Sequence, residues 1–240
     1  MLPLIFIPSK GRPDGSTMRL LKEQDVGYIC VIEEEDREAY QMHPVAVLPE
    51  SNRGIGYSRN WIATQCRVPF IMLDDDLKTF YRKTETGTQS ITLKELLIEL
   101  SEFGRTHDYS VVGCQRSFFG ISSKPYVENR EIAILLYVKG PIDYDESKRC
   151  FEDIDMVIRQ ILNKRKVAKM SNLVYFTTLS GCGKKGTGVD YSNELKRKEA
   201  LRMKEQYPAF FEILEGETYH KQPRFKVNWS KLNKYVNSSC

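Results

Sequence analysis

Short apolar runs alternate with longer mixed segments through the first third of the chain. Residues 3–7, 27–32, 45–48 and 68–73 are rich in β-branched, aromatic and other apolar side chains, the pattern of strands buried in a sheet. The intervals between them are long enough for helices. Ser16 is placed to cap one over Thr17–Gln24, and Ser58 stands near the start of another over Arg59–Cys66. Strands alternating with helices predict a mainly parallel sheet whose crossovers are helical. Further on, Leu93, Leu96, Leu97 and Leu100 recur at helical spacing, and Gly104 predicts the end of that helix. Residues 109–114 and 131–138 read as two more strands. Ile154, Val157, Ile158, Ile161 and Leu162 form one helical stripe, with acids in its first turn and bases in its last, so that helix begins at the acids. A highly charged helix over 192–207 is stopped by Pro208, and the tail from Gly216 reads as irregular, with Trp229 and Tyr235 as anchors.

Composition changes this picture little. A chain of 240 residues with 41% hydrophobic and 28% charged content suits one globular α/β domain, not a fibrous or disordered one. The N-terminal apolar run lacks a basic leader and a small-residue cleavage site and is too short to cross a bilayer, which predicts a cytoplasmic protein without a membrane partner. The six cysteines lie far apart, with no spacing typical of zinc ligation, and are expected to be reduced thiols.

Charge is more informative. Residues 1–158 carry 19 Lys and Arg against 25 Asp and Glu, whereas residues 159–204 carry 12 against 3. This basic C-terminal extension suits a polyanionic partner or a phosphorylated ligand, or simply solvated helix faces.

Three consecutive aspartates, Asp74, Asp75 and Asp76, follow the apolar run 68–73 directly. Ligands of parallel sheets gather at the carboxyl ends of strands. Close carboxylates resist joint ionisation unless a cation or hydrogen-bond donors compensate, and a hard divalent ion such as Mn2+ or Mg2+ prefers such oxygen ligands. The competing reading is a turn with capping aspartates.

The opening LIFIPSKGRP, the segment ESNRGIGYSRNWI and VPFIMLDDDL together resemble the nucleotide-sugar-binding half of glycosyltransferases of the GT-A fold. The resemblance implies a nucleotide-diphospho-sugar transferase fold with a UDP-sugar donor and a divalent metal. It implies a single domain over 1–240, with a donor-binding half over 1–104 and an acceptor half over 105–240. In that likeness Pro8, Ser9 and Arg12, with Glu33 or Glu34, match the nucleoside pocket. Asp74 matches a donor and metal contact, Asp75 a sugar contact and Asp76 the metal ligand. Arg59 matches a basic residue reaching toward the donor, or else a neutralising salt bridge. Phe151-Glu152-Asp153 matches the family's second acidic motif, making Asp153, with Glu152 beside it, the expected general base of an inverting reaction; Asp155 competes for that role. A helix N-terminus is expected to hold such a base as an anion. His220 matches a C-terminal histidine on metal or diphosphate. Lys184 and Lys185, in a loop containing Gly181, Gly183, Gly186 and Gly188, match a lid over the diphosphate or form a plain surface loop. That loop is not a nucleotide-binding P-loop, because Thr187 occupies the lysine position.

The glycine-rich loop followed by the charged 192–207 helix looks like the TET-associated glycosyltransferases, largely of phages and viruses. That resemblance implies transfer of the sugar to a 5-hydroxymethylpyrimidine, such as 5-hydroxymethylcytosine, in DNA, with the basic segment on the phosphates. Alternatives are a glycan, lipid or protein acceptor, a nucleotidyltransferase built on the same paired carboxylates, and a noncatalytic nucleic-acid-binding module.

Overall fold

The computed structural model describes residues 1–67, 69–118, 122–177, 192–217 and 223–238. Its centre is a ten-stranded sheet. One edge is a parallel block in the order β3 (Val45–Val47), β2 (Ile29–Ile32), β1 (Leu4–Pro8), β4 (Phe70–Leu73). These are the four apolar runs of the first third, joined by α1 (Ser16–Glu23) and α2 (Ile55–Gln65). β9 (Leu135–Val138) runs antiparallel between β4 and β7 (Val111–Arg116), so β7 points the same way as β4. Then come β10 (Val167–Thr177), parallel to β7, and the hairpin β5 (Leu77–Thr84) and β6 (Gly87–Ile91); β8 (Tyr126–Glu128) also pairs with β10. This is the α/β architecture expected with the GT-A resemblance, and strands from both expected halves share the one sheet.

Each face of the sheet has its own core. Along β4, Ile71 and Leu73 join the layer of α1 and α3 (Leu93–Thr106), while Phe70 and Met72 join the layer of α2 and α4 (Glu152–Leu162). This is the two-residue alternation of a strand buried on both sides. Leu93, Leu96, Leu97 and Leu100 of α3 are all fully buried, each worth about 1.5–3 kcal/mol relative to exposure.

Several boundaries differ from the sequence reading. α3 continues through Gly104 instead of stopping there, because a Tyr137 ring lies where a side chain would be: an added Cβ would sit 2.3 Å from Tyr137 Cδ1. α2 starts at Ile55, four residues earlier than expected, since Gly54 at φ 91° provides its entry turn. The described parts of the tail form regular elements. β11 (Phe211–Glu217) and β12 (Pro223–Val227) form an antiparallel pair, followed by α6 (Trp229–Ser238). With α5 (Asn193–Gln206) they place Ala200, Met203, Phe211 and Leu232 in the core against α4. The described basic helix α5 thus packs into this core. Cys30, Cys66, Cys114 and Cys150 are free thiols, and no helix among the described residues is long and apolar enough to cross a membrane.

Candidate active site

The aspartate run forms the turn between β4 and β5, and α1 fixes its shape. Thr17 Oγ1 donates to the Asp74 carbonyl at 2.6 Å and accepts from Leu77 N–H at 3.0 Å, while Thr17 N–H donates to the Asp75 carbonyl at 3.1 Å. A Cβ on Gly15 would lie 2.6 Å from that same Asp75 oxygen, so the close approach requires glycine.

The clasped turn sends its carboxylates in different directions. Asp75, 1% exposed, turns inward: the Ser9 hydroxyl donates to Oδ2 and the Arg12 guanidinium lies 2.8 Å from Oδ1. Tyr40 completes the relay, its hydroxyl 2.6 Å from Ser9 Oγ and accepting the Arg12 N–H at 2.9 Å. Burial pushes the Asp75 carboxyl up to about 7, with Arg12 and Ser9 pulling the other way. Asp76 stays partly exposed, 3.9 Å from Arg12, and is raised by burial and by Asp74 beside it. Asp74 binds Arg59 at 3.1 Å.

Arg59 is the hub. It rises from α2 with 2% of its surface exposed and binds Asp153 Oδ1 at 2.7 Å, Asp74 Oδ1 at 3.1 Å and Glu152 Oε1 at 3.4 Å. The next residue builds its fourth wall. Asn60 exchanges two hydrogen bonds with the Tyr144 backbone, at 2.8 and 2.9 Å, which sets the Tyr144 ring 5.2 Å from the guanidinium carbon. Although burial works against the charge, Asp153, Asp74, Tyr144 and Glu152 raise the Arg59 pKa well above its ordinary value, so it remains a cation. One cation therefore faces three carboxylates taken from β4 and from the start of α4.

That second acidic element is presented by a backbone bend. Phe151, in the left-handed region at φ 64°, turns the chain into α4 so that Glu152 and Asp153 lie in its first turn. Glu152 is nearly covered, whereas the Asp153 side chain keeps 17% of its surface open. Burial raises Asp153 above the ordinary carboxylate range, opposed by Arg59 and assisted by Glu152, Asp74 and Glu131. The expected stabilisation of an anion at the helix start is thus outweighed by desolvation. Asp155, the competing base, is fully buried on another side of α4, where Tyr207 donates to it at 2.7 Å and Lys148 lies 3.7 Å away. It is out of contact with Arg59.

Of the other expected residues, Pro8 ends β1 opposite Val31. Glu33 is buried and held by Lys10 at 2.7 Å and by the Asn52 N–H at 2.9 Å, while Glu34 pairs with Arg37 at the surface. Lys184, Lys185 and His220 lie outside the described residues. Among the described residues no group of three His, Cys, Asp or Glu side chains forms a ready-made metal cage. Asp74 and Asp76, two hard oxygen donors on one turn, suit an Mg2+ or Mn2+ ion that takes its remaining ligands from water and phosphate. Tyr40, Thr17 and Tyr144 carry no motif and were not anticipated; only the structure joins them to the acids. Cavities of about 670 Å³, between α3 and the starts of β1 and β2, and about 580 Å³, beside the end of α2, contain none of these acids. Asp74, Asp76 and Asp153 stay partly open to solvent, with Asp74 and Asp76 just past the carboxyl end of β4.

Comparison with known proteins gives a family match and a distant structural likeness. The family model described as TET-Associated Glycosyltransferase matches residues 4–180, a span holding Arg59, the aspartate turn and the Glu152-Asp153 pair. No curated protein matches the chain by sequence. Among solved structures, the crystal structure of GalNAc-T7 with UDP, GalNAc and Mn2+ resembles it at 9% sequence identity and a TM-score of 0.47. That likeness covers 74% of this chain and 44% of the other, so the chain spans less than half the length of that protein.

Proposed function

The chain belongs to the TET-associated glycosyltransferase family, and from that premise we propose that it transfers a sugar from a UDP-sugar to the hydroxyl of a 5-hydroxymethylpyrimidine in DNA, with inversion. The observation that carries this reading is the convergence of the β4 aspartate turn and the α4 acidic pair on one buried guanidinium. It brings a donor-side carboxylate and a candidate base to the two terminal nitrogens of a single guanidinium.

In this reading Asp76, with Asp74, holds a divalent ion, which when bound supplies positive charge to the diphosphate as it departs. Ser9 and Arg12 shape the nucleoside side of the site. Arg12 also keeps Asp75 buried beneath the turn, so Asp75 supports the loop more than it touches the sugar. Asp153 is the base. Its open edge accepts the proton of the acceptor hydroxyl as that oxygen bonds to the anomeric carbon; the bond from that carbon to the diphosphate breaks, and the electron pair leaves with UDP. Burial that raises Asp153 makes its ionised form the stronger proton acceptor. Arg59 restrains it by a 2.7 Å contact and so orients the remaining oxygen. A single displacement of this kind inverts the anomeric centre.

Incubation with labelled UDP-sugars and with hydroxymethylcytosine-containing or unmodified duplex DNA tests the reading. Label is expected only on the modified DNA, and NMR of the released nucleoside is expected to show the inverted anomer. Transfer to glycans or proteins but not to modified DNA would contradict the acceptor assignment.

A further inference from the structure

Three aromatic rings meet where the aspartate turn runs into β5. Tyr81 of β5, Phe176 of β10 and Phe118 beyond the end of β7 lie 5.3–5.8 Å apart by centroid, all tilted or edge-on. Their position follows from strand register. Thr177 pairs with Leu77, the residue after Asp76, and Phe176 pairs with Thr79. Thr79, Tyr81 and Lys83 alternate onto the face opposite buried Phe80. Ser117, in the left-handed region at φ 62°, swings the chain off β7 and delivers Phe118 to the cluster. The Phe118 ring is not consumed by packing: it remains 44% exposed.

Cations flank these rings. Arg116, exposed at the end of β7, donates to Thr177 Oγ1 at 3.2 Å. Lys83 stands two residues beyond Tyr81 and donates to the Ser122 carbonyl at 3.3 Å. An exposed aromatic side chain bordered by two basic side chains matches a nucleotide in both parts: a flat base for the rings and phosphates for the cations.

We propose that Phe118, supported by Tyr81 and Phe176, is the platform on which the target pyrimidine stacks once it is out of the duplex, with Arg116 and Lys83 on its flanking phosphates. This deepens the acceptor reading above and rests on it. Chemistry on a base requires the base to leave the helix, and an aromatic cluster whose Phe176 pairs with Thr79, shortly after the aspartate turn, recovers part of the lost stacking.

The test measures affinity for a duplex carrying one hydroxymethylcytosine, alongside UDP binding in the presence of Mn2+, for the wild type and for Phe118→Ala, Phe118→Leu and Phe118→Trp. Loss of one base–aromatic stack is expected to weaken DNA binding by about 5- to 150-fold in the Ala and Leu variants. The Trp variant is expected to stay near wild type, and UDP binding to be unchanged in all three. If Phe118→Leu binds the DNA like wild type, or if UDP binding falls in parallel, the ring serves packing and the platform is refuted while the acceptor reading stands. If the wild type itself neither binds nor modifies this DNA, the acceptor reading fails and the platform falls with it.

Discussion

Replacing Arg59 by Met keeps most of the side-chain volume and removes its charge. Asp74, Glu152 and Asp153 then lose a counter-ion that lies 2.7–3.4 Å from each of them, in a place where the arginine itself is 2% exposed. Removing one partner of a buried ionic group costs about 3–5 kcal/mol. For a domain of this size each kcal/mol shifts the melting temperature by about 2–4 °C, so Arg59→Met is expected to melt roughly 6–20 °C below wild type near neutral pH. The loss has a signature that plain packing damage lacks. Protonating the orphaned carboxylates removes their repulsion, so the deficit shrinks at about pH 5, and Mn2+ offered at about pH 8 restores part of it. Differential scanning fluorimetry at both pH values, with and without Mn2+, measures this. A deficit below about 2 °C, or one indifferent to both pH and Mn2+, would refute the view of Arg59 as the counter-ion of three converging acids.

Further expectations are independent of that variant. Asp153→Asn is expected to lower kcat by about 10²- to 10⁴-fold with UDP binding retained, checked by steady-state transfer assays beside calorimetry. Asp75 yields a pH effect: its folded pKa of about 7 lies above the unfolded value of about 4. Its contribution to stability is therefore whole below about pH 4 and lost as pH rises through about 7. Melting of the metal-free protein should decline over that window, and Asp75→Asn should flatten the decline. Gly104→Ala pushes a methyl group into the Tyr137 ring and is expected to cost about 1–3 kcal/mol in urea unfolding without altering UDP affinity.

What the amino-acid order revealed depended on how locally each feature is encoded. β1, β2 and β4 were legible because they are buried on both faces and read as plain apolar runs; the stripe of α4 was legible through its helical period. The β5–β6 hairpin was not, since β5 has only Leu77 and Phe80 buried and β6 only Ile91, too few for a period to register. β10 escaped because Lys169 and Asn172 interrupt its apolar positions. In the site, the Asp74–Asp76 turn, Arg59 and Glu152-Asp153 stood out through their local motifs. The Arg59–Asp74 pair, 15 residues apart, was among the readings of Arg59, but its union with Glu152-Asp153 was not, because that depends on contacts across 93 and 94 residues. Tyr144 and Tyr40 belong to this second kind: their neighbours in sequence say nothing of the cation or the hydroxyl each one supports. Asp155 shows the converse. Two residues from Asp153 and identical in type, it is separated from it by the turn of the helix and serves Tyr207 instead.

The account turns on whether Asp76 of the aspartate turn grips the donor through a divalent ion. Isothermal titration of UDP with Mn2+ into the wild type and into Asp76→Ala addresses this directly. The wild type is expected to bind only when the ion is present, and the variant to show no measurable heat while retaining the wild-type melting profile. Equal binding by the two proteins would contradict the account.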